Sequence, residues 1–271
     1  MTISYGDWQP GHLRLGAPEL YVLRHGPDKA TEIFKLALHE LVARGVVKLA
    51  ILQQGSGRTT THTVLLRPGV QRPRELSRPL SSIMDAYDGL TAQQPVDAST
   101  GIAVEELARA LRERHQGTLS QWVTDEVVGT LVERHLYAEE QHKRLGLFNT
   151  TSYEPTPDGK AAQAELEASI KRAEDQFGSW ASGEPARAAA FLAIAGPAVL
   201  VMPDLQPAIE RFRGASHGAR KMMAASSDTA IQLADQDFDF YRLVDAANEI
   251  KTLDDVIDYG QLDRDRSADK G

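Results

Sequence analysis

The chain has 271 residues, of which 42% are hydrophobic and 25% charged, and its formal net charge is −8. This composition is typical of a globular protein with a sizeable core, and the acidity argues against a main role in neutralising nucleic-acid phosphates. The sequence contains no cysteine, which excludes disulfides, thiolate zinc sites and cysteine nucleophiles. We therefore expect a protein of a reducing interior, cytoplasmic and able to associate with a membrane.

Membrane-spanning and export signals are weak in this sequence. Residues 1–15 lack the basic start and apolar core of a signal peptide. The most apolar run covers residues 188–202, is shorter than the roughly 20 residues of a spanning helix, and is split by Gly196-Pro197. We predict that this run forms a buried, kinked core helix.

The first recognisable unit is a helix followed by a β-hairpin. Apolar residues recur at steps of three and four between Asp28 and Arg44, which is the period of a helix, and Gly45 suits its end. Residues 46–52 and 59–66 are rich in apolar and β-branched side chains around a Gly-Ser-Gly turn. They predict two antiparallel strands.

The same order of elements recurs further along the chain. Residues 119–134 predict a helix, and the segments that follow, up to residue 153, predict a second hairpin. Leu41-Val42-Ala43-Arg44 aligns with Leu131-Val132-Glu133-Arg134 at an offset of 90 residues. This match indicates an internal repeat of helix–hairpin units, which is the pattern of winged-helix modules.

The sequence predicts a mainly α fold in which a helical domain contains two helix–β-hairpin, winged-helix-like units. The other predicted helices cover residues 75–87, 103–115, 160–180, 185–202 and 204–213. Small and polar residues dominate residues 215–236, which indicates a linker. The predicted organisation is therefore a helical domain over 1–214, a linker over 215–236, and an acidic C-terminal helix and tail over 237–271.

Short motifs do not support catalysis or metal binding. Residues 214–218 have the spacing of a nucleophile elbow, but a helix precedes them and the last histidine of the chain, His217, lies inside the motif. His39-Glu40 begins a zinc-protease motif whose second histidine position is Ala43. No Ser/His/Asp constellation is evident, and we predict a non-enzyme without metal or cofactor.

Four short strings follow one another in a recognisable order. They are residues 36–45 (LALHELVARG), 131–136 (LVERHL), 147–151 (LFNTT) and 153–156 (YEPT). In this order they resemble the two core helices and the hairpin of the Golgi phosphoprotein 3 family, and residues 19–27 are closer to its actinobacterial relatives. The resemblance covers residues 18–213.

The resemblance implies a helical fold with a prominent β-hairpin, and a non-catalytic peripheral membrane protein that binds phosphatidylinositol 4-phosphate. The family's headgroup pocket uses one tryptophan and three arginines. In this chain the aligned positions are occupied by His25, Phe34, Gln121 and Thr124. None of them is an arginine, and a tightly held phosphate needs charge-assisted donors.

The resemblance also implies a hairpin whose exposed apolar residues touch a membrane or a neighbouring protomer. The aligned segment here combines a basic pair with apolar side chains: Lys143, Arg144, Leu145, Leu147 and Phe148. Such a segment suits an anionic lipid surface, because each cation near the surface contributes about 1 kcal/mol to the binding free energy. The alternative is that Leu147 and Phe148 pack under the hairpin. The resemblance thus predicts an adaptor for an anionic membrane or a protein partner, with homo-oligomers allowed.

Two other functions stay open. A winged-helix DNA-binding regulator would use basic residues near the first hairpin, although the acidic second helix makes nucleic acid less favoured. These residues are Arg58, Arg67, Arg72, Arg74 and Arg78. A protein–protein scaffold would use the apolar face of the C-terminal helix, which contains Phe238, Tyr241, Val244 and Leu253.

Overall fold

The computed structural model describes most of the first 209 residues and two positions further on. The described residues are 15–54, 61–70, 75–93, 101–144, 148–184, 187–188, 191–192, 195–205, 207–209, 257 and 262. The predicted linker over 215–236 lies outside them. So does the predicted C-terminal helix, apart from Ile257 and Leu262, which are both buried.

The first half of the chain contains four helices and three strands in its described part. The helices are α1 (Ala17–His25), α2 (Ala30–Ala43), α3 (Arg78–Gln93) and α4 (Val104–Arg114). The strands are β1 (Val47–Gln54), β2 (Thr61–Pro68) and β3 (Ile102–Ala103). They form one antiparallel sheet in the order β1-β2-β3, with Val47 opposite Pro68 and Leu66 opposite Ile102. The predicted first hairpin therefore gains a short third strand from a distant part of the chain.

The second half begins with a helix that contains a π-helical turn. Its parts are α5 (Leu119–Trp122), the π-turn (Val123–Val128) and α6 (Gly129–Glu133). The strands β4 (Tyr137–Arg144) and β5 (Phe148–Pro155) form a two-stranded hairpin, and the long helix α7 (Pro157–Gly183) follows. Two 3₁₀ turns (Gly196–Val201 and Pro203–Leu205) follow, and residues 207–209 are helical. The chain is mainly helical with small antiparallel sheets, which confirms the predicted class at that level.

The ends of α2 and α6, which the predicted repeat aligns, are closed by the same backbone pattern. Each end is closed by two hydrogen bonds of 2.8–2.9 Å: Gly45 to Val42 and Val46 to Leu41, and then His135 to Val132 and Leu136 to Leu131. The first donor of each pair has positive φ, +66° at Gly45 and +60° at His135. This is the pattern that satisfies the last carbonyls of a helix, and it recurs with the 90-residue offset.

Helix α1, which the sequence analysis does not predict, lies at the centre of the packing. The phenol of Tyr137 on β4 donates to the carbonyl of Val22 at 3.1 Å. Arg24 donates to the carbonyl of Val201 and to the carboxylate of Glu167 on α7, both at 2.8 Å. One short helix therefore connects the second hairpin, α7 and the first 3₁₀ turn.

The N-terminus of α1 is capped by a side chain of α2. The carboxylate of Glu40 is fully buried and accepts from the backbone N–H of Ala17 at 2.6 Å. Its other oxygen accepts from Nε and Nη2 of Arg44, each at 2.8 Å. Gly16 offers no capping side chain, and a Cβ there would lie 2.7 Å from Glu19 Oε2 and 2.9 Å from Glu40 Oε2. A side chain at position 16 would therefore force two buried carboxyl groups to shift.

Glu19 is the second buried carboxyl group at this junction. Burial, followed by the nearby charge of Glu40, raises its pKa from 4.5 to about 7, although Ser77 and Arg134 oppose the shift. Oε2 of Glu19 is buried without a hydrogen-bond partner, which penalises a charge on it. The junction therefore favours the neutral form of Glu19.

The raised pKa of Glu19 makes the stability of the protein depend on pH. Below pH 4.5 the carboxyl group is protonated in both the folded and the unfolded chain. As the pH rises towards 7 the unfolded chain releases the proton first, so the free energy of unfolding falls, by about 3 kcal/mol in total. We expect Glu19→Gln to match the wild type in urea unfolding at pH 4 and to exceed it at pH 8.

The exposed Glu139→Gln is the matched control for this measurement, and we expect it to keep the pH dependence of the wild type. Equal unfolding free energies for Glu19→Gln and the wild type at pH 8 would show that ionisation of Glu19 does not destabilise the folded protein.

Helix α7 begins in close contact with the end of the second repeat unit. The hydroxyl of Thr156 caps it by accepting from the N–H of Gly159 at 3.0 Å, and Pro157 occupies its first turn. A Cβ on Gly159 would lie 1.9 Å from the carbonyl oxygen of Leu136. In the same helix, a Cβ on Gly178 would meet no atom within 4 Å.

Two glycine-to-alanine substitutions in α7 should therefore have opposite effects. Gly159→Ala forces the first turn away from Leu136 and should lower the free energy of unfolding by about 1–3 kcal/mol. Gly178→Ala should raise it by about 1 kcal/mol, because alanine is the better helix former. Urea unfolding of both variants measures the difference, and two stabilising substitutions would contradict the close contact at Gly159.

Candidate functional site

The residues that the sequence analysis assigns to membrane contact lie at the far end of the β4–β5 hairpin. In the strand register Arg144 is opposite Phe148 and Lys143 is opposite Asn149. Leu145 and Leu147, and the side chains of Lys143, Arg144 and Phe148, are outside the described residues. The backbone therefore places the basic pair and Phe148 side by side at the hairpin tip, which we define as residues 143–148.

The near half of the same hairpin carries negative charge. Glu139 and Glu140 on β4 and Glu154 on β5 are exposed. A strand rises about 3.3 Å per residue, so the backbone of Glu140 lies roughly 13 Å from that of Arg144. The hairpin is thus divided into an acidic base, which holds Glu139, Glu140 and Glu154, and a tip that holds the basic pair.

The positions aligned with the family's headgroup pocket do not form a cationic site. Phe34 is completely buried and meets the ring of Trp122 edge-on, with 6.0 Å between ring centroids. His25 ends α1 and contacts the ring of Tyr21 at 4.7 Å between centroids. The pKa of His25 is lowered by burial and then by the neighbouring charge of Arg24, so the neutral ring is favoured.

The other two aligned positions lie beside a carboxylate. Thr124 is in the π-turn and donates to the carbonyl of Ser120 at 3.0 Å. The amide of Gln121 donates to Asp125 Oδ1 at 2.7 Å. A phosphate at this place would approach Asp125 instead of an arginine, which is electrostatically unfavourable.

Asp125 belongs to a polar network that the sequence analysis does not predict. The ring nitrogen Nδ1 of His115, at the end of α4, lies 2.8 Å from Asp125 Oδ2. The other ring nitrogen, Nε2, lies 3.4 Å from the hydroxyl of Ser82 on α3 and 3.9 Å from Glu126 Oε1. The expectation that the chain has no Ser/His/Asp constellation is therefore wrong, in that these three side chains lie close together.

An arginine and two further carboxylates surround this network. Arg78 donates from Nε to Glu126 at 2.8 Å and from Nη1 to Glu133 at 2.6 Å. Its charge is therefore opposed by two carboxylates. The network joins α3, α4 and the π-turn.

The basic residues assigned to DNA contact are only partly visible. Arg58, Arg72 and Arg74 lie outside the described residues. Arg67 is half-buried on β2, opposite the exposed Lys48 on β1. Arg78 forms ion pairs with Glu126 in the π-turn and Glu133 in α6, so its charge is opposed there and adds little to a cationic face.

Comparisons with known proteins leave the family open. No family model, curated protein or solved structure matches this chain. In the described part of the chain no helix is long and apolar enough to cross a membrane. Among the same residues, no cluster of three or more histidine and carboxylate side chains could hold a metal ion.

The network predicts an order of stability effects. His115→Ala removes a nearly buried ring and its contact with Asp125, so it should lower the free energy of unfolding by about 2–3 kcal/mol. Ser82→Ala removes only a long hydrogen bond and should cost less than about 1 kcal/mol. Urea unfolding measures both, and a larger effect of Ser82→Ala would contradict a network centred on the His115–Asp125 pair.

Proposed function

We propose that this protein is a non-catalytic adaptor that binds an anionic membrane surface through the tip of the β4–β5 hairpin. The observation that carries this proposal is the division of charge along the hairpin. Glu139, Glu140 and Glu154 occupy its base, whereas Lys143 and Arg144 lie at its tip opposite Asn149 and Phe148. An anionic surface attracts the tip and repels the base, so the hairpin approaches it end-on.

The apolar residues of the tip complete the proposed contact. Leu145, Leu147 and Phe148 flank the basic pair in the sequence. Apolar side chains gain free energy in the lipid interface, while the long stems of Lys143 and Arg144 allow their charges to stay among the headgroups. The resemblance to the Golgi phosphoprotein 3 family supports the same use of this hairpin.

The proposed binding depends on surface charge and not on a phosphoinositide headgroup. At one pocket-equivalent position the ring of Phe34 packs against Trp122. At another, the amide of Gln121 donates to Asp125. Affinity should therefore follow the fraction of anionic lipid, and phosphatidylinositol 4-phosphate should have no advantage over phosphatidylserine at equal charge. The pairing of Arg78 with two glutamates likewise supports a membrane partner over DNA.

Vesicle co-sedimentation tests the proposal. The wild type should sediment with vesicles of phosphatidylcholine and phosphatidylserine at low salt, less at high salt, and not with phosphatidylcholine alone. Reversing both charges in K143E/R144E should weaken binding about 30-fold or more, since each lost cation contributes about 1 kcal/mol.

A matched control makes the same change of net charge elsewhere. Lys171 and Arg172 are exposed on α7, and K171E/R172E should retain most of the wild-type binding. The proposal fails if the wild type does not sediment at low salt, or if the control variant loses as much binding as K143E/R144E.

A further inference from the structure

The β1-β2-β3 sheet has one face in the core and one face outside it. Leu66 on β2 and its register partner Ile102 on β3 are buried. Leu49 on β1, which is opposite Leu66, packs against the same core. Consecutive strand residues point to opposite faces of a sheet. The residues that alternate with these three therefore point away from the core, and we call the surface that they form the outer face.

The outer face carries apolar side chains that the protein leaves partly or fully exposed. Its apolar and charged residues are Lys48, Ala50, Leu52, Leu65, Arg67 and Ala103, and none of them is buried. Ala50, Leu65 and Ala103 form one row across the three strands. Leu52 extends this row towards the hairpin end and is 40% exposed. The outer face is therefore an apolar strip on the solvent side of the sheet.

The charge around this strip has a single sign. Residues 41–74, which include the whole β1–β2 hairpin, contain six lysine and arginine residues and no aspartate or glutamate, although the formal net charge of the chain is −8. One of the six, Arg44, pairs with Glu40 in the interior. Lys48 is exposed and lies opposite Arg67 at one end of the apolar row. An apolar strip with cations at its border fits an acidic segment that also has apolar side chains.

The chain itself contains a segment of this kind. Residues 237–256 have six acidic and two basic residues, and their apolar residues include Phe238, Tyr241, Val244 and Leu253. Directly after this segment, Ile257 and Leu262 are buried in the hydrophobic core. The chain at the end of the segment is thus fixed on the rest of the protein. Such a tether makes docking intramolecular and gives the segment a high effective concentration.

We propose that residues 237–256 of this chain dock on the outer face of the β1-β2-β3 sheet. Their apolar side chains cover Ala50, Leu52 and Leu65, and their carboxylates lie beside Lys48. A second copy of the chain fits this surface less well, because two outer faces would bring like charges together. An anionic membrane matches the cations, but it must displace the tethered segment.

The absence of cysteine from the sequence allows an environment-sensitive fluorophore to be attached at one chosen position. In the full chain, labelled Leu52→Cys should emit at a shorter wavelength than the same label in the background F238S/Y241S/V244S, because the docked segment excludes water from the outer face. Ile51→Cys is the matched control: Ile51 is the next residue, is 45% exposed and points to the other face. Its emission should be the same in both backgrounds.

A charge reversal tests the same docking without a label. Lys48→Glu should make amide hydrogen exchange in residues 237–256 about fivefold faster, which corresponds to the loss of one surface ion pair. Lys171→Glu, an exposed residue of α7, should leave this exchange unchanged. Thermal unfolding of both variants should match the wild type, because both lysines are exposed.

Three results would overturn the proposal. The first is equal emission of labelled Leu52→Cys in the two backgrounds, or an equal change at Ile51→Cys. The second is an emission shift at Leu52→Cys that disappears on dilution, which would identify a second copy of the chain as the occupant. The third is a shift that occurs only when anionic vesicles are added, which would identify a membrane.

Discussion

The buried carboxylate of Glu40 is the interaction on which the rest of the structure depends. It replaces the missing cap of α1 by accepting from the N–H of Ala17, and Arg44 supplies the opposite charge from the next turn of α2. A buried ion pair is strongly destabilising when one partner is lost. Because α1 in turn holds β4, α7 and a 3₁₀ turn through Val22 and Arg24, disorder at this cap would reach both repeat units.

The two hairpins differ although the helices before them end in the same backbone pattern. Each hairpin follows a helix that ends at a residue with positive φ, Gly45 in the first case and His135 in the second. The first hairpin is joined by β3 and exposes Ile51 and Leu52, whereas the second stays two-stranded and separates an acidic base from its basic tip. The charge division of the second hairpin is the basis on which we propose its contact with an anionic surface.

Most of the helices and hairpins could be predicted because their sequence signals lie within the elements themselves. The helical period of α2 and the turn residues of the first hairpin are visible in the sequence, whereas α7 begins at Pro157 and not at the predicted residue 160. Helix α1 was missed because it is short and contains Glu19, whose burial depends on Glu40 and Ser77 from other elements. A buried acid breaks the apolar pattern that identifies a helix.

The polar network was less predictable than the hairpin tip because it depends on contacts between residues that are distant in the sequence. Ser82, His115 and Asp125 meet only through the packing of α3, α4 and the π-turn, and no spacing in the sequence signals their proximity. The filling of the pocket-equivalent position by Phe34 likewise depends on Trp122 in the second unit. By contrast, the basic and apolar residues of the hairpin tip are adjacent in the chain and could be selected directly.

Amide hydrogen–deuterium exchange on vesicles tests the proposed membrane contact most directly, because it locates the contact in the native chain. With phosphatidylserine-containing vesicles, deuterium uptake should fall in peptides covering residues 141–150 and stay unchanged in those covering 78–93 and 119–133. Protection confined to residues 78–93 and 119–133, with none at 141–150, would place the contact at the polar network and contradict the account.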